Sequence, residues 1–213
     1  MPQEISGMVF RIELIGVEKP IWRRFFVPRD ISFKKFQEVI SIVMGWKGWK
    51  KHRRQDGQTT CFAFSFGQEE FGLYLPEDGS YKKQFCFLDK MRVEDYFRRT
   101  GSCGLYEYNF DAGGWPHVII LEDYRVVVQG DLKYLCFDGE MACPPAGSWP
   151  SAYNRLCEYK NRLAQGAEGI DILLQSEVNG HIDFDAVFVQ NHLKYNIERF
   201  DCKAVNAKLQ KLE

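Results

Sequence analysis

The sequence predicts an α+β fold, a single domain in which a mixed, mostly antiparallel, roll-like sheet packs with helices. Three observations lead there. Apolar and polar residues alternate in several short runs, the first carrying Met8, Phe10, Ile12 and Leu14. Runs with helical spacing interrupt them at irregular intervals, without the regular strand–helix–strand order of a doubly wound sheet. Aromatic residues make up 15% of the chain, with 17 Phe and 10 Tyr, which suits strands and a ring-rich core.

Taken in order, the first strand spans Met8 to Leu14. Lys19-Pro20 breaks the chain, and Ile21 to Val27 forms a second, antiparallel strand that Pro28 ends. Ser32 is placed as an N-cap before Phe33, Phe36, Ile40, Val43 and Met44, whose spacing is helical, and Gly45 closes that helix. Cys61–Phe66 and Phe71–Leu75 read as two strands joined by Gly67-Gln68-Glu69-Glu70, and Gln84–Leu88 as a short third. Val93, Tyr96 and Phe97 fit a short helix ending near Gly101. Tyr106 to Glu122 reads as a β-hairpin, its bend set by Asp111-Ala112-Gly113-Gly114. Tyr124–Val128 is a further strand, and the segment around Cys143-Pro144-Pro145 is rigid and lies against the sheet. Helices follow from Ser151 to about Ala164, over Asp183–Asn196, and after Asp201, with Val205, Leu209 and Leu212. The domain is taken as 1–213, with a helical C-terminal segment from about 181.

Composition bounds the function. With 45% hydrophobic residues and a net charge of −1, the chain is neither disordered nor a general polyanion binder. Cys61, Cys86, Cys103, Cys136, Cys143, Cys157 and Cys202 are scattered without a C-x-x-C pair, unlike a disulfide framework or zinc site. Neither a signal-peptide pattern nor an apolar run of membrane-spanning length stands out. A reduced, soluble, cytoplasmic protein with no membrane association is expected. No phosphate-binding loop, G-x-S-x-G or H-E-x-x-H occurs, so the common nucleotide and hydrolase machineries are absent.

Candidate chemistry is sparse. At the hairpin, Asn109, Asp111 and His117 gather polar groups near the tip, and Asp111, His117 and Glu122 form the best catalytic constellation. A His–carboxylate pair activates water or holds a divalent metal. The structural alternative is that His117 bonds across the sheet and Asp111 stabilises its own turn. Cys143, held before two prolines, is a weak nucleophile candidate if His117 approaches it. In His181-Ile182-Asp183-Phe184-Asp185, an aspartate capping the next helix outweighs a metal site. Trp46, Trp49, Lys50, Lys51, Arg53 and Arg54 form a basic, aromatic stretch of the kind nucleic acids favour, against the plainer reading of a solvated loop with one Trp anchoring the helix end.

The order VFRIELIGVEKPIWRRFFVP, SFKKFQEVISIVMGW, YEYNFDAGGWPHVIILE, GEMACPPAGSWPSAYNRL and ERFDCKAVNAKL resembles the plasmid pRiA4b ORF-3-like family over nearly the whole chain. The resemblance implies one α+β domain of the roll type, cytoplasmic, in bacteria or archaea and their mobile elements. It implies no established activity, and these residues give no support to the transposon-resolvase label some members carry. Against the family pattern Y-D-F-G-D-x-W-x-H, Asn109 stands where an aspartate is usual, while Trp115 and His117 remain. The family's H-L-H-E-F is replaced by Cys61-Phe62-Ala63-Phe64, and C-P-P-E-D by Cys143-Pro144-Pro145-Ala146-Gly147, with both carboxylates gone. A non-enzymatic module binding a protein or peptide is therefore expected, with Trp46, Trp49, Trp115 and Trp149 as anchors and no cofactor or metal. Nucleic-acid binding through Trp46–Arg54 and a degenerate metal-dependent hydrolase are the alternatives.

Overall fold

A computed structural model of the chain describes residues 4–46, 61–73, 87–109, 114–128, 133–178 and 180–212. Seven strands form one antiparallel sheet: β1 (Glu4–Leu14), β2 (Trp22–Pro28), β3 (Phe62–Phe66), β4 (Glu69–Leu73), β5 (Cys103–Tyr108), β6 (Trp115–Val128) and β7 (Leu135–Glu140). Their order is β4-β3-β5-β6-β1-β2-β7, so β1 lies inside the sheet between β6 and β2. A two-stranded ribbon pairs β8 (Glu177–Val178) with β9 (His181–Ile182). The helices are α1 (Phe33–Met44), α2 (Pro150–Ala164), α3 (Phe184–Asn191) and α4 (Cys202–Leu209). Among the described residues no helix is long and apolar enough to cross a membrane. The α+β expectation holds, with every strand pair in the large sheet antiparallel.

Period-two alternation puts Met8, Phe10, Ile12 and Leu14 of β1 on one face, all buried. That inner face receives α1. The Ser32 hydroxyl accepts from the Lys35 amide at 3.4 Å, and the helix ends at Gly45 in a left-handed conformation (φ 92°) that glycine adopts without penalty. Phe33 and Phe36 drop into a cluster of rings, with centroids 4.7 Å from Phe33 to Phe71 and 4.9 Å from Phe36 to Phe10. Each fully buried Phe contributes roughly 1.5–3 kcal/mol, so the inner face is a main source of stability. The core continues through Tyr153 and Leu156 of α2 to Leu209 of α4.

Three expectations need correction, and one strand is new. Tyr124–Val128 is the continuation of β6, which runs on past Glu122 through a bulge opposite Val9 and Phe10. Helix α3 stops at Asn191, short of Asn196. Phe87 and Leu88 sit in a turn, while Gln84, Phe85 and Cys86 lie outside the described residues. Strand β7 was not expected at all. It adds to β2, and α4 closes its outer edge: Asn206 accepts from the Cys136 amide (2.7 Å) and donates to the Cys136 carbonyl (2.9 Å). A side chain thus does for that edge what another strand would do.

Candidate functional site

The hairpin arises as expected, with β5 and β6 in the register Tyr106 opposite His117 and Tyr108 opposite Trp115. Its closing residues include Asn109, whose φ of 58° lies in the left-handed region that asparagine tolerates, and Gly114, which donates to the Asn109 carbonyl at 3.1 Å. Asp111 lies outside the described residues. Tyr106, Tyr108, Trp115 and His117 all point to the inner face beneath the end of α1.

There His117 is fully buried and fully occupied. The indole Nε1 of Trp46 donates to His117 Nε2 at 3.1 Å. Because an indole nitrogen can only donate, Nε2 is the bare nitrogen of the ring. The proton therefore sits on Nδ1, which donates to the Tyr106 carbonyl at 3.2 Å. Burial drives the imidazole pKa down to about 3. The ring is neutral at physiological pH, and its one acceptor already serves Trp46. His117 is placed to fix two elements to each other rather than to move a proton or hold a metal. Among the described residues no three His, Cys, Asp or Glu side chains gather to hold an ion.

A wider polar chain surrounds it. Gln37 of α1 donates to Ser41 Oγ (2.9 Å) and lies 3.5 Å from the Tyr106 hydroxyl, whose ionisation burial pushes far above its ordinary range. Gln37 Oε1 is buried without a hydrogen-bond partner among the described residues. The ring of Trp46 stacks on Tyr108 (4.8 Å, 13° between planes) and tilts against Trp115 (5.6 Å). Trp115 donates to the Ser148 carbonyl at 3.2 Å, which ties the proline-rich segment to the hairpin.

The structure separates most of the residues expected to act together. Glu122 lies on the opposite face of the sheet, where it accepts from Arg24 Nε at 2.6 Å, so it cannot join His117. Cys143 abuts Gly45, its carbonyl accepts from the Tyr195 hydroxyl, and burial pushes its thiol far above the ordinary range. Its charged neighbours are Arg23 and Lys208, not His117. Trp46 and Trp115, at 9% and 2% exposure, belong to the core and present no free ring to a partner. Trp149 is half-buried, donates to Asp185 Oδ1 at 2.7 Å and packs on Phe188. Trp49, Lys50, Lys51, Arg53 and Arg54 lie outside the described residues. Asp183 caps α3 through the Ala186 amide (3.1 Å) and pairs with Arg155, while His181 is exposed on the β8–β9 ribbon.

Sequence reasoning missed Arg23, a fully buried guanidinium at 1% exposure. It donates to four backbone carbonyls: Val43 (2.9 Å) in the last turn of α1, Trp22 (2.6 Å), Glu140 (2.6 Å) and Met141 (2.8 Å). Its charged plane lies over the Phe200 ring at 4.0 Å. Burial lowers its pKa to about 10, so it stays charged at neutral pH. Met141 carries a positive φ of 62°, a costly conformation for this residue type that the bond to Arg23 helps to hold. The signal was present in the sequence: period two places Arg23 on the side of Ile21, Phe25 and Val27.

Comparison with known proteins agrees with this architecture. A family model described as plasmid pRiA4b ORF-3-like protein matches residues 6–202. Among solved structures, the chain is similar to the crystal structure of a protein of unknown function, MM3350, from Methanosarcina mazei Go1. Identity is 19%, the TM-score is 0.61, and the match covers 93% of this chain and 96% of that one. At that identity the likeness shows the fold alone. No curated protein matches the chain.

Proposed function

The chain belongs to the plasmid pRiA4b ORF-3-like family, and from that premise we propose that it is a non-enzymatic, cytoplasmic module that binds a protein or peptide partner. One observation carries the reading. His117, which this chain keeps from the family's hairpin pattern, spends both ring nitrogens on Trp46 and Tyr106 inside the buried core. A catalytic base needs a free nitrogen that reaches its substrate, and a metal ligand needs a lone pair without a competing donor. With its polar hairpin residue committed to architecture, what the module offers a partner is its surface.

The test is co-purification of the tagged full chain from its native host, with and without nuclease treatment. A partner protein recovered in stoichiometric amount after nuclease treatment supports the reading; its absence overturns it. A partner lost with the nuclease favours the basic stretch at Lys50, Lys51, Arg53 and Arg54 as a nucleic-acid contact. In that case replacing these four residues by Ala flattens the salt dependence of binding. A stoichiometric divalent ion in the purified protein would revive the hydrolase alternative.

A further inference from the structure

Cys136 of β7 and Cys202, the first residue of α4, are 66 positions apart in the chain and meet where α4 covers the edge of the sheet. Both are reduced. Cys202 Sγ donates to the Cys136 carbonyl at 3.0 Å, beside the bond that Asn206 gives to the same oxygen (2.9 Å). Asn206 Nδ2 also lies 3.7 Å from Cys202 Sγ, since residues four apart on a helix share a face. The side chain of Cys136 reaches the same spot, and its thiol is in hydrogen-bond contact with that of Cys202. Burial, and then this neighbouring sulfur, push the Cys136 thiol well above its ordinary ionisation range. The two differ in access. Cys136 is 2% exposed, while Cys202 is half-buried and reaches solvent.

We propose that Cys136 and Cys202 are an oxidative modification site, forming on exposure to a peroxide a reversible disulfide that fastens α4 to β7. The accessible sulfur reacts first. Cys202 gives up its proton, its sulfur attacks the O–O bond, and Cys202–SH with hydrogen peroxide gives Cys202–SOH and water. Cys136, buried and slow to ionise, does not meet the peroxide itself; held against the sulfenic acid, it needs only proximity to act. Its sulfur attacks that of Cys202, its proton leaves with the displaced hydroxyl as water, and the S–S bond forms. Two thiols have lost two electrons and two protons, and one peroxide has become two waters. A dithiol reverses the step by exchange, becoming a disulfide itself. The consequence is mechanical. Reduced, α4 is eight residues long and is held at the edge by Asn206, by the Cys202 bond and by the burial of Val205 and Leu209. A helix of that length does not persist unaided. Oxidation exchanges the Cys202 bond for a covalent tie, and the site stands whatever the module binds.

The test exposes the intact chain to a slight excess of hydrogen peroxide, then denatures it, alkylates the remaining thiols and maps the peptides by tandem mass spectrometry. The expected product is a Cys136–Cys202 cross-link that dithiothreitol removes. Amide hydrogen exchange in α4 slows about tenfold in the oxidised chain and recovers on reduction. Cys202→Ser, at the half-buried position, abolishes both changes, whereas Cys103→Ser, at an exposed cysteine of β5, leaves both intact. Cys202 carried on to the sulfinic acid while Cys136 is still alkylated overturns the proposal. So does a cross-link between other cysteines in its place, or one between Cys136 and Cys202 that leaves exchange in α4 unchanged.

Discussion

Arg23 and Arg24 are neighbours in one strand and face opposite ways. Arg23 points inward, 1% exposed, and gives its hydrogen bonds to four main-chain carbonyls and its flat surface to Phe200. Arg24 points outward, its side chain 37% exposed, and meets Glu122 at 2.6 Å with water nearby. The same contrast separates the two faces throughout. Inside, polar groups bind backbone and each other; outside, ion pairs such as Arg11–Glu13 and Arg24–Glu122 sit partly in water. Chemistry-bearing residue types are present on both sides, and burial decides which of them is architecture.

The largest effect expected from this contrast is on stability. Arg23→Met removes the donor from four buried carbonyls and should cost roughly 3–5 kcal/mol, as breaking a buried charged network does. Arg24→Met removes an exposed ion pair and should cost less than about 1 kcal/mol. Chemical denaturation of the two variants measures both. Equal losses would mean that the inner network is not what holds β2, α1 and the Met141 turn together.

His117 gives the next effect and ties it to pH. Its folded pKa of about 3 lies below the ordinary value of 6.5, so between these values the unfolded chain binds more protons than the folded one. Stability therefore falls as pH is lowered from about 6.5 towards 3, by about 1.4 kcal/mol per unit from this group. His117→Phe abolishes that contribution and strands the Trp46 donor, costing about 1–3 kcal/mol at neutral pH. Identical pH slopes in the two proteins would show that the imidazole is not buried in its neutral form. A smaller effect is expected at Gln37, where Oε1 has no partner among the described residues. Gln37→Met removes that orphan together with the bond to Ser41 and should change stability by less than about 1 kcal/mol. A loss of several kcal/mol at that position would place a missing partner at Oε1.

How much of this could be read from the chain depended on whether local pattern and tertiary role agreed. Strands β1 and β2 alternate cleanly, and Ser32 and Gly45 mark the ends of α1, so these elements and the hairpin register were legible. Strand β7 was not, because its bulge at Phe137 and its Gly139 break the alternation, and its outer edge is completed by Asn206 from 70 residues away. Trp46 was assigned to a basic contact stretch by its sequence neighbours. It directly follows the left-handed Gly45, where a residue after a helix end often packs back on the helix, and that signal points to the core. Glu122 was grouped with His117 by proximity in sequence, although their spacing of five residues in a strand sets them on opposite faces.

The smallest expected effect is the one that separates the two faces most sharply. Leu105 sits on the outer face between Ser65 and Val118, and half of it is in water. Removing it forfeits little burial, and threonine supplies a β-branched side chain that fits the strand. Leu105→Thr should therefore change stability by less than about 1 kcal/mol. At Tyr106, the adjacent inner-face position in the same strand, the order reverses: Tyr106→Thr empties a fully buried site and should cost about 3–5 kcal/mol. Denaturation of this neighbouring pair tests the division directly. If Leu105→Thr unfolds the protein as readily as Tyr106→Thr, Leu105 belongs to a core layer of its own.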